Sequence, residues 1–208
     1  MKSIGTCVAA LFLLGPGVLA DSAPGGAVDG ITGASYSLPA VPRSPTEVRK
    51  TIGDWLQTHW FMSLATVDAE GQPHVGGVTF YVENMVVYFK TDVASTKAVN
   101  IRRNPKVAYT VWDKVEDMAE LKSLQVTGTA RLVEGEERDR IAALLGGAPG
   151  STRSNLERFF HQAGIQGSYA GHPFDPERQA IFAVDPQVAR FNDNTLAMGQ
   201  SDVYRFGP

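Results

Sequence analysis

Apolar residues first recur along the chain at helical spacing: Val48, Ile52, Trp55, Leu56 and Trp60 fall on one face. The stretch before them, Ser44-Pro45-Thr46-Glu47, predicts a helix start. Ser44 suits the cap, Pro45 the first helical position, and Glu47 completes a capping box. From Phe61 the period shortens to two. Phe61 to Val67 and Pro73 to Val82 are predicted strands around the turn Asp68-Ala69-Glu70-Gly71, and a tight reversal at Glu83-Asn84 leads into a third, Met85 to Phe89. Ser95 to Arg103 is a predicted short helix, stopped by Asn104-Pro105 because a proline disfavours helical geometry in the residue before it. Strands follow at Lys106 to Trp112 and Leu121 to Val133. A helix is predicted from Glu136 to Leu145, its acidic start at Glu134-Gly135-Glu136-Glu137 and its end at Gly146-Gly147. Another helix is predicted from Ser154 to Ala163, then closing strands at Gln179 to Val184 and Val188 to Phe191. Short antiparallel strands with helices at their ends predict a mainly β chain with flanking helices (α+β), built as a small barrel.

The first twenty residues do not belong to that pattern. Met1-Lys2, the apolar run Val8 to Leu14, the Gly15-Pro16-Gly17 break and the small residue Ala20 have the layout of a secretory signal peptide. The run is too short to span a bilayer. An exported protein, periplasmic or extracellular, is therefore expected: a leader at 1–20, a Gly/Ser/Pro-rich linker at 21–43 and one domain at 44–208. Its only cysteine, Cys7, lies in the leader, so disulfides, thiolate metal sites and cysteine nucleophiles are excluded from the mature chain. A net charge of -3, with no basic run longer than Arg102-Arg103, excludes a nucleic-acid footprint.

Thr91, Ser95, Thr96 and Lys97 put hydroxyls, free backbone N–H groups and one positive charge at a strand-to-helix junction, the chemistry of an anion site. On the residues alone, Ser95 can equally be a plain cap and Lys97 a solvated side chain. The segment Val86 to Asp113, with Phe89-Lys90-Thr91, Ser95-Thr96-Lys97 and Asn104-Pro105 in order, resembles the pyridoxamine 5'-phosphate oxidase-like flavoproteins. The resemblance extends over Pro45 to Leu145. It implies a split β-barrel, a homodimer with FMN at the subunit interface, and an FMN phosphate held by Thr91, Ser95, Thr96 and Lys97. It further implies a polar flavin contact at Ser123, and the backbone of Val78, Thr79 and Phe80 facing the flavin ring. Where many members carry basic residues on the second strand, this chain has Gly76-Gly77-Val78, leaving Lys97 as the main cation with Arg102 or Arg103 as helpers. The residues with which pyridoxamine phosphate oxidases hold their own substrate are not recognisable, so the resemblance implies the flavin and not that reaction.

The linker carries a second resemblance. Asp29-Gly30-Ile31-Thr32-Gly33-Ala34-Ser35 is similar to the flavinylation motif of exported redox proteins, in which a flavin transferase joins FMN to a hydroxyl through a phosphoester. Ser35 stands at the acceptor position; the alternative is an unmodified spacer. About ten residues separate Ser35 from the helix start, a span on the order of 30 Å. His59, His74, His161 and His172 show no metal-ligand spacing. Related split barrels bind haem, for which His161 or His172 is the ligand candidate. No Gly-x-Ser-x-Gly elbow points to a hydrolase, and Trp55, Trp60 and Trp112 are expected in the core. The expected function is oxidation–reduction by an FMN-dependent oxidoreductase of unstated substrate. Its rivals are a non-catalytic electron carrier or flavin-binding module, and a haem-binding barrel.

Overall fold

The structure, a computed structural model, describes residues 41–146 and 174–207. The predicted leader, Ser35, the helix at 154–163, His161 and His172 lie outside them. Helix α1 spans Pro45–Thr58, and its capping box is formed. Ser44 Oγ accepts the Glu47 N–H, while Glu47 Oε2 accepts the Ser44 N–H at 2.7 Å. It buries Val48, Ile52 and Leu56. Trp60, expected on this helical face, lies beyond the helix, which closes at His59.

Seven strands follow: β1 (Phe61–Val67), β2 (Pro73–Glu83), β3 (Val86–Asp92), β4 (Lys106–Trp112), β5 (Lys122–Leu132), β6 (Gln179–Asp193) and β7 (Ser201–Arg205). Helix α2 (Thr96–Arg103) joins β3 to β4, and α3 (Gly135–Gly146) follows β5. The sheet order is β3-β2-β1-β4-β5-β6-β7, antiparallel throughout, and a β3–β6 pairing closes six strands into a barrel with β7 outside the ring. Alternate residues of every barrel strand point inward, where Phe80, Phe89, Phe182, Phe191, Leu64 and Leu124 are almost wholly buried with Ile52 and Leu56 of α1. A second, smaller core lies outside the ring, where Ile141 of α3 packs on Tyr88, Val133, Ile181 and Ala183.

Three details depart from the sequence expectation. The β2–β3 reversal is centred on Asn84 and Met85, both with positive φ (52° and 73°), one residue later than expected; such paired left-handed residues match the twist of a hairpin. The two closing strands are one strand, β6. Pro186, which reads as a break, occupies the position where β6 exchanges neighbours, from β3 (last pair Val87–Val184) to β7 (first pair Val188–Arg205). A proline there removes no ladder hydrogen bond, and Gln187 is the extra residue of a bulge opposite Thr127 and Gly128. Strand β7 was not expected. Trp112, expected in the core, points outward and is 58% exposed.

Candidate functional site

Strands β2 and β3 pair only from Glu83–Val86 to Phe80–Phe89. Beyond that pair β3 continues along β6 to Asp92, while β2 continues along β1 to Pro73. The two strands part, and among the described residues the edge of β2 from Thr79 to Pro73 has no strand beside it. The Phe80 N–H donates to the Trp60 carbonyl at 2.9 Å. By antiparallel alternation the backbone groups of Val78 are also directed to β1, whereas those of Thr79 and Gly77 are directed to the open edge. Of Val78, Thr79 and Phe80, Thr79 therefore presents its backbone to the gap. Val78 and Phe80 instead contribute buried side chains to the core.

Helix α2 closes one end of the barrel beside this gap. It is fixed by a buried pair absent from the sequence expectations: Asn100 Nδ2 donates to Thr66 Oγ1 at 3.1 Å, with the two residues 3% and 2% exposed. The signal in the sequence is Thr66 itself, a polar residue at an inward position after Met62 and Leu64. Ser95 caps the helix, accepting from the Ala98 N–H and donating its own hydroxyl proton to the Asp92 carbonyl at 2.8 Å. Its 3.0 Å contact with Thr91 Oγ1 is then donated by Thr91. Both hydroxyl protons are committed inside the chain, so Thr91 and Ser95 shape the turn. The donors left at the helix start are the backbone N–H groups of Thr96 and Lys97, the exposed Thr96 hydroxyl and the Lys97 ammonium.

Lys97 is half-buried and, among the described residues, has no carboxylate or hydrogen-bond partner. Its Cε lies 3.6 Å from where a Cβ on Gly76 would stand, so its stem crosses β2 at a residue with no side chain. Gly76 thus makes room for the lysine, while Gly77, on the other face of the strand, lies against the Phe61 ring. Arg102 is turned to the Val93 carbonyl at 2.8 Å, and Arg103 is exposed in the last turn of α2. Ser123 is not part of this cluster. It accepts from Asn192 Nδ2 on the outward face of β5, in a row that runs Ser123–Trp112 and, at the same register, Phe61–Thr79. Three strand spacings, roughly 14 Å, separate it from Thr79.

His59 and His74 are each tied to a carboxylate at 3.0 Å, Asp113 and Asp68 respectively. Hydrogen bonds from His74 and from the Gln72 and Glu70 backbones hold the Asp68 carboxyl below its usual range. Among the described residues no group of His, Cys, Asp or Glu is arranged to hold a metal ion, and no helix is long and apolar enough to cross a membrane. At the far end of β1, an open groove of about 590 Å³ is lined by Trp55, Asp113, Lys114, Val115, Glu120, Lys122 and Thr195. It contains none of the expected site residues.

A closed six-stranded barrel, split between two strands and flanked there by a helix whose start is rich in anion donors, defines the class: a split β-barrel. Residues 48–163 match the family model described as pyridoxamine 5'-phosphate oxidase, and the chain belongs to that family. It is similar to general stress protein 26 of Bacillus subtilis, with 29% identity over 115 residues, 55% of this chain and 74% of the relative. Among solved structures it resembles the conserved hypothetical protein Rv2991 of Mycobacterium tuberculosis. The TM-score is 0.53 and the identity 19%, over 76% of this chain and 89% of the other. It also resembles a haem-binding protein of Mycobacterium smegmatis, with TM-score 0.55 and 18% identity over 80% of this chain and 60% of the other.

Proposed function

We propose that this chain is an exported FMN-binding flavoprotein acting in oxidation–reduction, with the FMN phosphate at the start of α2. The observation that carries the reading is Lys97, half-buried and without a partner among the described residues, lying across Gly76 beside free helix N–H groups. A cation and aligned N–H dipoles favour a phosphate at that point, and the bare edge of β2 at Thr79 and Gly77 offers backbone groups to a planar ring. The flavin supplies the electron chemistry when bound; the chain fixes its position. The test is titration with FMN: wild type binds it and turns yellow, and Lys97→Ala weakens binding by at least tenfold. Unchanged flavin affinity in that variant overturns the reading. Turnover with reductants separates an oxidoreductase from an electron carrier.

The reading includes a homodimer. Outward residues of β1, β4 and β5 between the strand ends are uncharged (Ser63, Ala65, Ala108, Thr110, Gln125, Thr127), while Val75, Trp112 and Phe61 are 72%, 58% and 50% exposed. An uncharged face with exposed aromatics suits a second copy. Ser123 lies on this face and meets a flavin only across such an interface.

Covalent FMN at Ser35 is part of the same proposal. Gln200, 5% exposed, clamps the backbone of Val41: its Oε1 accepts the Val41 N–H at 2.9 Å and its Nε2 donates to the Val41 carbonyl at 3.2 Å. From Ser35 to this fixed point is six residue steps, a contour of at most about 20 Å and shorter than the span counted to the helix start. Intact mass after secretion in a host with a flavin transferase tests it: a gain of FMN less water, lost in Ser35→Ala, supports the tether, and an unmodified mass refutes it.

For the haem alternative, among the described residues His59 has both ring nitrogens engaged, by the Trp55 carbonyl and by Asp113, whereas His74 keeps Nδ1 open. His161 and His172 are the ligand candidates named from the sequence, and a Soret band on the purified protein would favour this reading.

A further inference from the structure

On the inner face of β2, the residue two positions before Gly76 is His74, set opposite Thr66 of β1, the residue that holds Asn100 of α2. Same-face residues two apart on a strand stand roughly 7 Å from each other. His74 and Lys97 therefore flank the gap that Gly76 leaves. The imidazole is fixed from behind: its Nε2 lies 3.0 Å from Asp68 Oδ2. Asp68 is itself held by the turn, its Oδ1 accepting the Glu70 N–H at 3.0 Å and the Gln72 N–H at 2.8 Å. A carboxylate only accepts, so Nε2 carries the hydrogen of that contact; Nδ1 is the nitrogen left for a ligand, and towards a phosphate oxygen, itself an acceptor, it serves as the second N–H donor of the imidazolium. The side chain is 42% exposed.

The geometry points to His74, oriented by Asp68, as a specificity residue of the anion subsite, favouring a phosphorylated flavin over the same flavin without its phosphate. This rests on the reading of Lys97 as the phosphate-side cation. A phosphate between the helix start and His74 meets Lys97 on one side and the imidazole on the other. That arrangement makes up in part for the side chain missing at Gly76. Asp68 is a positioning residue: it touches the imidazole and not the ligand.

The experiment measures dissociation constants of FMN and riboflavin by flavin fluorescence for wild type, His74→Ala, Asp68→Asn, His74→Lys and Lys97→Ala, with a thermal midpoint for each. His74→Ala is expected to weaken FMN on the order of tenfold and leave riboflavin within about twofold. Asp68→Asn keeps the imidazole but loosens it, for an expected loss of about threefold on FMN alone, and His74→Lys restores the preference. If His74→Ala weakens both flavins equally, or neither, the inference is overturned. Should Lys97→Ala abolish the preference for FMN while His74→Ala retains it, His74 is excluded and the Lys97 reading stands. If Lys97→Ala also retains the preference, the phosphate is not at α2, and both fail.

Discussion

Two glycines present the same clash and opposite consequences. A Cβ on Gly128 would lie 2.4 Å from the Asp185 carbonyl oxygen and 3.2 Å from Asp185 C and Pro186 Cα, all backbone atoms of β6. A Cβ on Gly77 would also lie 2.4 Å from its nearest neighbour, but that atom is Cζ of the Phe61 ring, on a residue that is 50% exposed. For Gly128→Ala, an opening of nearly 1 Å must come from separating β5 and β6 at the bulge. Strain of that kind costs about 1–3 kcal/mol, and a lost ladder hydrogen bond about 1 kcal/mol more. Removing a glycine from a strand returns about 0.5–1 kcal/mol. The net expectation is a destabilisation of about 2 kcal/mol. For Gly77→Ala the ring swings into solvent, giving up some apolar contact, and the strand gains the same glycine term; the net is within about 0.5 kcal/mol of zero. Urea unfolding of both variants at one protein concentration reads the difference as a shift in midpoint at unchanged slope. Equal costs in the two variants, or a neutral Gly128→Ala, would refute the claim that the bulge is backbone-locked.

Acid sensitivity is expected at α3. Glu137 is held down to about 2 by its paired hydrogen bonds from Arg131, and the Tyr88 hydroxyl adds a third. A depressed carboxyl contributes stability that is present above its unfolded value near 4.5 and lost as pH falls towards 2. With the Arg131 and Glu137 side chains 41% and 32% exposed, screening reduces this to on the order of 1 kcal/mol. Glu137→Gln should therefore lose that amount at pH 7 and converge with wild type near pH 2 in chemical unfolding. Asn100→Ala leaves the buried Thr66 hydroxyl unpaired at a cost of about 1–3 kcal/mol. Amide exchange in α2 should rise with it, while the double variant Thr66→Val/Asn100→Leu recovers much of the loss. Trp112→Glu places a charge on the uncharged outer face and should shift the proposed dimer to a monomer in light scattering, without a change in far-UV circular dichroism.

Local signals made most of the barrel legible. Ser44 with Glu47, and the alternation in β1 and β4, are written within a few residues, and the structure repeats them. Pro186 misleads because a proline's cost depends on whether its N–H is needed, and only the neighbour exchange of β6 shows that it is not. Trp112 misleads because alternation gives two faces without saying which is covered. The site was legible as residue types but not as partners. Ser95 and Thr91 read as free hydroxyl donors until Asp92 shows where their protons go. His74 reads as an isolated histidine until the turn brings Asp68 to it, and Lys97 gains its meaning from Gly76, twenty-one residues upstream.

The gap and the closure of the barrel are parts of one arrangement. Strand β3 has two edges, and β6 occupies one of them through Asp92, whereas β2 leaves the other after Phe89. The next pair in register would join Thr79 to Lys90. Its absence frees the backbone of Thr79, and α2 stands beside the opening, held by Asn100 on Thr66 of the adjacent strand β1. Flavin affinity should therefore depend on a contact that touches no ligand. Loosening α2 with Asn100→Ala should weaken FMN and riboflavin together, because it disturbs helix start and strand edge alike. A loss confined to FMN would mean instead that Asn100 acts on the phosphate side alone.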